Sequence, residues 1–253
     1  MLEYAPRGLL GVLTPQANTT VEPEFNLLLP PGVAMINARL VSAKDSMTAR
    51  LLDYFEGFSH TLDQFANAPI GVAAAACTGS SYLAGREREA ALVTGITSAK
   101  GYPFITAALA VVDALRALEA TSIALVSPYP DDLTQASRAY WQSHGFGVRE
   151  IARLSGEAGA FHPVYSLDRS RTGEALSTLA HKTVDAVVML GTGMPTLRAI
   201  ATTIGGRGAP VVSCNLCLAW RAVTALDGNA PDRASLSMWL KGAHWRSRLA
   251  QTV

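Results

Sequence analysis

Four landmarks in the first half of the chain return in the second half in the same order. An apolar run ending in Thr14-Pro15 returns as one ending in Ser127-Pro128, 113 positions later. Gly32-Val33 opens a second apolar run, and Gly147-Val148 opens its counterpart 115 positions later. Cys77-Thr78-Gly79 closes a third, matched 114 positions on by Gly191-Thr192-Gly193. Pro103-Phe104-Ile105-Thr106 is followed, 107 positions on, by Pro210-Val211-Val212-Ser213. Self-similarity at nearly one spacing is the mark of a duplicated structural unit.

Within each copy, short apolar runs alternate with longer amphipathic segments. Leu9–Leu13, Val33–Leu40 and Ile70–Ala76 predict strands in the first half. Ser122–Val126, Val148–Leu154, Ala186–Leu190 and Pro210–Ser213 predict strands in the second. Apolar residues at helical spacing (Leu51, Leu52, Phe55, Phe58, Leu62 and Phe65) predict a helix over Ser46–Phe65. Further helices are predicted over Ser81–Ser98, Phe104–Leu118, Leu133–His144, Thr172–Lys182 and Met194–Ile204. Alternating strands and helices imply parallel sheets covered on both faces. The expected architecture is therefore α/β: two similar parallel-sheet domains related by a pseudo-twofold, with a cleft between them. Residues 1–103 form the first expected domain, joined by the C-terminal segment 216–253, and residues 104–215 form the second. Asn229–Val253 has no counterpart in the first half; its Leu236, Trp239, Leu240, Trp245 and Leu249 predict a helix packing on the body or on a second subunit.

Composition narrows the partners. Hydrophobic residues make up 49% of the chain and charged residues 16%, which suits a well-buried core. A formal net charge of +1 argues against nucleic acid as a partner. Lys241, Arg246 and Arg248 form a loose basic cluster, read as a solvated helix face. No apolar run reaches the roughly 20 residues that span a bilayer; Ala107–Leu118 contains Asp113 and Arg116. Met1–Arg7 lacks the pattern of a signal peptide. Three cysteines do not make a disulfide framework, so a cytoplasmic location is expected.

Ligands of parallel α/β sheets sit beyond the carboxyl ends of the strands. Three turns fall there: Pro15–Thr20, Cys77–Ser81 and Gly191–Gly193. Free N–H groups and the positive dipole end of a helix start suit a carboxylate, although Ser and Thr at such places are also ordinary caps. Cys77 ends a strand of very small residues. A thiol at a helix start is expected to have a lowered pKa and nucleophilic or basic character, while an inert buried cysteine is the plainer alternative. Cys214-Asn215-Leu216-Cys217 has redox or half-zinc spacing, but no second C-x-x-C exists and His60, His144, His162, His181 and His244 show no ligand spacing. It is read as a pair of structural thiols, with no metal expected. Gly205-Gly206-Arg207-Gly208 precedes a strand, the wrong order for a nucleotide cradle.

At these residues the sequence resembles the aspartate/glutamate racemase superfamily, within it the maleate cis-trans isomerases and arylmalonate decarboxylases. Gly11–Glu24 resembles the opening signature of the maleate isomerases, and Ala76-Cys77-Thr78-Gly79 their first cysteine turn. Val126-Ser127-Pro128-Tyr129 resembles a tyrosine turn shared with the decarboxylases. Asp185–Leu197 and Pro210–Ser213, with Asn215 and Trp220, also fit. The resemblance implies a cofactor-independent isomerase or lyase acting on a small mono- or dicarboxylate, and a homo-oligomer, dimer or tetramer. It assigns catalysis to Cys77 and Tyr129, and substrate binding to Asn18, Thr19, Thr78, Gly79, Gly191, Thr192 and Gly193. Two positions depart from the pattern. Gly191 stands where a second cysteine is usual, and Phe161 or His162 stands near a usual asparagine. A one-thiol mechanism is therefore expected, as an isomerase or as a decarboxylase with Cys77 as proton donor. A non-catalytic carboxylate binder and a Cys77–His162 hydrolase are the alternatives from other classes.

Overall fold

The computed structural model describes residues 2–154, 163–167, 169–180, 182–206 and 208–252. Its first half runs β1 (Gly8–Pro15), α1 (Val21–Leu28), β2 (Val33–Leu40), α2 (Met47–Leu62), β3 (Ile70–Ala75), α3 (Thr78–Ala84), α4 (Arg86–Lys100), β4 (Phe104–Thr106) and α5 (Ala107–Ala117). The second runs β5 (Ser122–Ser127), α6 (Asp131–Ser143), β6 (Gly147–Arg153), α7 (Arg169–Leu179), β7 (Ala186–Met189), α8 (Leu197–Thr203), β8 (Val211–Ser213) and α9 (Cys214–Leu226); α10 (Arg233–Leu240) and α11 (Arg246–Gln251) follow. The strands form two parallel sheets of identical order, β2-β1-β3-β4 and β6-β5-β7-β8. The repeat in the sequence is thus a repeat of topology.

The central strands are buried on both faces, which explains their unbroken apolar runs. Leu10, Val12, Leu13 and Val72 through Ala76 are fully buried, as are Ile123 through Val126 in the second sheet. The hydroxyl that ends each Pro-apolar-apolar-hydroxyl run is a helix cap. Thr106 accepts from Leu109 N at 3.1 Å to start α5, and Ser213 accepts from Leu216 N at 3.3 Å to start α9; caps of this kind contribute about 1 kcal/mol each.

Several elements differ from the sequence reading: α1 has no predicted counterpart, and the single C-terminal helix expected is two, α10 and α11. Phe104–Leu118 is not one helix: Phe104–Thr106 pairs with β3 as a strand, and the helix begins at Ala107, where Thr106 caps it. β4 therefore belongs to the first sheet although it lies past residue 103. Ser81–Ser98 is two helices, because Gly85 adopts φ +80° and ends the first. Met194–Ile204 becomes helical only from Leu197.

α9 follows a strand of the second sheet but packs against β3 and β4 of the first, and against α1 and α5. The tiny side chains of β3 leave room for it. Leu236, Trp239, Trp245 and Leu249 of α10, α11 and their connection are buried in the chain's own core. Among the described residues no helix is long and apolar enough to cross a membrane.

Candidate active site

The carboxyl ends of β1, β3, β5 and β7 open onto one cavity between the two sheets. It is lined by Pro15 and Asn18 after β1, Cys77, Thr78 and Gly79 after β3, Pro128, Tyr129 and Pro130 after β5, and Gly191, Thr192 and Gly193 after β7. Met47, Leu51 and Tyr54 of α2, Leu133 of α6, and Val164 and Tyr165 of a 3-10 turn (Pro163–Ser166) complete the wall. The cavity encloses about 60 Å³, room for a small molecule only. Among the described residues no charged side chain lines it. An anion there must be held by neutral donors. Each such hydrogen bond gains strength from the low local dielectric.

Of the residues singled out in the sequence, Cys77, Tyr129, Asn18, Thr78, Gly79, Gly191, Thr192 and Gly193 are brought together; Thr19 is not. It is exposed on a separate groove with Pro23, Asn26 and Leu27. The reason is local: Asn18 Oδ1 accepts from Thr20 N at 2.9 Å and Val21 N at 3.2 Å, capping α1 and turning Thr19 outward. Arg39 steadies the same turn, pairing with Glu22 and donating to Asn18 O at 3.0 Å. Tyr82 and Met194 are buried outside the cavity lining, and Phe161 and His162 lie outside the described residues.

The two halves are pinned to each other at the cavity floor. Thr192 Oγ1 donates to Ala76 O at 2.7 Å and accepts from Asn18 Nδ2 at 3.2 Å. Thr20 Oγ1 donates to Gly193 O at 2.8 Å. The hydroxyls of Thr78 and Tyr129 are 3.0 Å apart, one from each half.

Cys77 is 3% exposed. Burial pushes its thiol up, and the neighbouring Ser80 hydroxyl and N–H only partly offset this. The sequence predicts a lowered value from the helix start; desolvation outweighs that effect, so the thiol is held protonated. Burial also raises the phenols of Tyr129, Tyr165 and Tyr54. Three neutral tyrosines thus share the cavity with one neutral thiol.

Gly191 adopts φ +85°, and a Cβ there would lie 3.1 Å from the Tyr129 hydroxyl and 3.3 Å from Pro128. Tyr165 covers the neighbouring turn so closely that a Cβ on Gly193 would fall 2.4 Å from its ring. Tyr54 and Tyr165 carry no sequence motif. Met47, Leu51 and Tyr54 follow i, i+4, i+7 spacing, a helical stripe that was available in the sequence as the face of α2 turned to the cavity.

Cys214 and Cys217 are buried. Cys214 donates to Met189 O at 3.4 Å, and burial pushes it up to about 12. Among the described residues no group of three or more His, Cys, Asp or Glu could hold a metal ion.

The sequence pattern of the arylmalonate decarboxylase family matches residues 10–237. A maleate isomerase from Geobacillus stearothermophilus is 26% identical over 232 residues, across 86% of this chain and 91% of that protein. The crystal structure of a maleate isomerase from Pseudomonas putida is 25% identical with a TM-score of 0.78, covering 87% of this chain and 93% of that one. A cysteine-to-serine variant of Nocardia farcinica maleate cis-trans isomerase, solved with a covalently bound succinylcysteine intermediate, is 25% identical with a TM-score of 0.76 over the same shares.

Proposed function

The chain belongs to the arylmalonate decarboxylase family, within the aspartate/glutamate racemase superfamily, and from that premise we propose that it is a cofactor-independent isomerase of the maleate cis-trans type, acting on a small dicarboxylate through one thiol, Cys77. The observation that carries this reading is the seat of Cys77: a small cavity, with no charged side chain among the described residues of its lining, between the Thr78-Gly79 and Thr192-Gly193 turns of the two halves.

In the proposed reaction the backbone N–H groups of these turns and the side-chain amide of Asn18 hold the substrate carboxylates. Tyr129 hydrogen-bonds to one of them. Cys77 adds across the double bond as a thiol. A sulfur lone pair forms the C–S bond, and the π pair takes the thiol proton at the other carbon. The hydroxyls of Thr78 and Tyr129 carry that proton across the cavity. The carbon–carbon bond, now single, rotates, and the reverse elimination expels the thiol and leaves the trans isomer. Nothing is gained or lost overall, so one thiol suffices. The succinylcysteine in the Nocardia farcinica variant, which lacks one cysteine, supports addition of this kind.

One observation favours a second reading. A thiol held protonated by burial suits proton donation. In decarboxylation of a substituted malonate, the C–CO2 bond breaks, its electron pair stays on carbon as an enediolate, and Cys77 protonates that carbon before regaining a proton from water.

The test is to incubate the purified chain with maleate and with substituted malonates, following trans product by NMR and CO2 release separately. Trans product is the expected result. CO2 release without it moves the activity to the second reading. Binding of a carboxylate with neither product identifies a non-catalytic homologue.

A further inference from the structure

Glu24 is a carboxylate buried at the junction of the two halves that the proposed reaction does not use. It sits on α1 of the first half and is 6% exposed. All the hydrogen bonds to its carboxylate come from the second half. Thr196 N donates at 2.6 Å, Leu197 N at 3.1 Å, the Thr196 hydroxyl at 3.1 Å and Asn215 Nδ2 at 2.8 Å. Glu24 thus caps α8 from another domain, which is why that helix begins at Leu197.

Asn215 connects this carboxylate to the cavity. Its amide nitrogen also donates to Thr192 O, at 3.0 Å. Both donor hydrogens of that amide are then committed, one to Glu24 and one to the Thr192 carbonyl. A trans peptide unit directs its C=O and N–H in opposite senses, and no cis peptide bond occurs among the described residues. Asn215 does not line the cavity, whereas Thr192 and Gly193 do. Drawing the Thr192 carbonyl toward Asn215 therefore turns the Gly193 N–H toward the cavity.

We infer that Glu24 is a positioning residue for anion binding: acting through Asn215, it fixes the 192–193 peptide so that the Gly193 N–H is presented to a substrate carboxylate. This rests on the proposed reading of the cavity as a carboxylate site. Glu24 selects the amide orientation in which Asn215 donates rather than accepts. A glutamine at position 24 keeps the shape but can turn its own NH2 toward Asn215, and the Thr192 carbonyl loses its fixed donor.

The experiment uses the full chain and malonate as the probe. Protection of Cys77 from iodoacetamide by malonate, read by peptide mass spectrometry, gives the malonate dissociation constant. Amide hydrogen exchange at Thr192 and Gly193 gives the order of the peptide without any ligand. Glu24→Gln is expected to weaken malonate about tenfold and to speed exchange at these two amides, while alkylation without malonate stays within about twofold of wild type. Asn215→Ala should reproduce both effects, and the double variant should be no worse than either single, as for residues acting in one chain. Wild-type affinity and exchange in a folded Glu24→Gln overturn the inference, as does additivity in the double variant. If malonate protects no form of the protein, the carboxylate reading itself fails, and unchanged exchange at 192–193 would separately refute the role of Glu24 in ordering the peptide.

Discussion

The hydroxyl of Tyr129 stands 3.1 Å from the point where a side chain at Gly191 would begin. A side chain at that position would therefore crowd the phenol. The same phenol lies 3.0 Å from the hydroxyl of Thr78, next to Cys77. Both halves thus place a hydroxyl at the cavity beside the turn that carries Cys77.

Restoring a cysteine at that point should not restore a two-thiol site. Gly191→Cys forces a β-carbon into φ +85° and toward Tyr129. A left-handed conformation costs an ordinary residue about 1–2 kcal/mol. We expect a loss of stability of that order in urea unfolding. Adding Tyr129→Phe, which removes the crowding oxygen, should recover part of it. A fully stable Gly191→Cys would contradict the packing described.

The protonation of Cys77 has a direct readout. Burial holds its thiol above the ordinary value, so the thiolate forms only as pH rises past that value. Alkylation of Cys77 by iodoacetamide, followed from pH 6 to 10, should keep rising through the ordinary thiol range without levelling off. A plateau below pH 8 would show an activated resting thiolate instead.

Much of this is legible in the amino-acid sequence. The two-copy topology follows from the recurrence of Thr14-Pro15, Cys77-Thr78-Gly79 and Pro103–Thr106, because each marks a strand end whose geometry the fold reuses. Cys77 and the Gly191–Gly193 turn were visible for the same reason, whereas Tyr129 was named only through the family resemblance of the Val126–Tyr129 turn. Thr19 was misplaced because the side chain of Asn18 caps α1, and nothing in the spacing tells which of two adjacent turn residues faces inward. Tyr54 and Tyr165 were missed because they reach the cavity through tertiary packing. The raised pKa of Cys77 depends on how many atoms exclude water around it, which a helix-start rule does not count. Glu24 read as part of an opening signature, yet its partners, Thr196 and Asn215, lie 172 and 191 positions away.

Tyr165 and Gly193 should behave as a coupled pair. Gly193→Ala places a methyl 2.4 Å from the Tyr165 ring, and overpacking of this kind costs about 1–3 kcal/mol. Tyr165→Ala should relieve it, so that the double variant is more stable than the sum of the singles implies. Additive effects in a denaturation cycle would place Tyr165 away from the turn.

His144 makes stability pH-dependent. Both ring nitrogens are buried and make no hydrogen bond among the described residues, and the ring packs against Tyr140 at 4.7 Å. Burial, with Arg86 and Arg116 adding to it, pushes its pKa down from 6.5 to about 4. The unfolded chain therefore takes up a proton below pH 6.5 that the folded chain resists. The stabilising effect of a neutral His144 is complete above pH 6.5 and is lost as pH falls toward 4. Discounted for its partial exposure, the loss should be about 1 kcal/mol. Thermal melts of His144→Phe should show a flatter decline than wild type across that window.

The central claim is that one thiol carries the chemistry. Once a substrate is identified among maleate and substituted malonates, Cys77→Ser and Cys77→Ala should be assayed against it alongside wild type, with circular dichroism to confirm the fold. Loss of turnover by about 1,000-fold or more in both variants is the predicted result, in the range expected for removing a nucleophile or proton donor. Turnover within about threefold of wild type in either folded variant would contradict it.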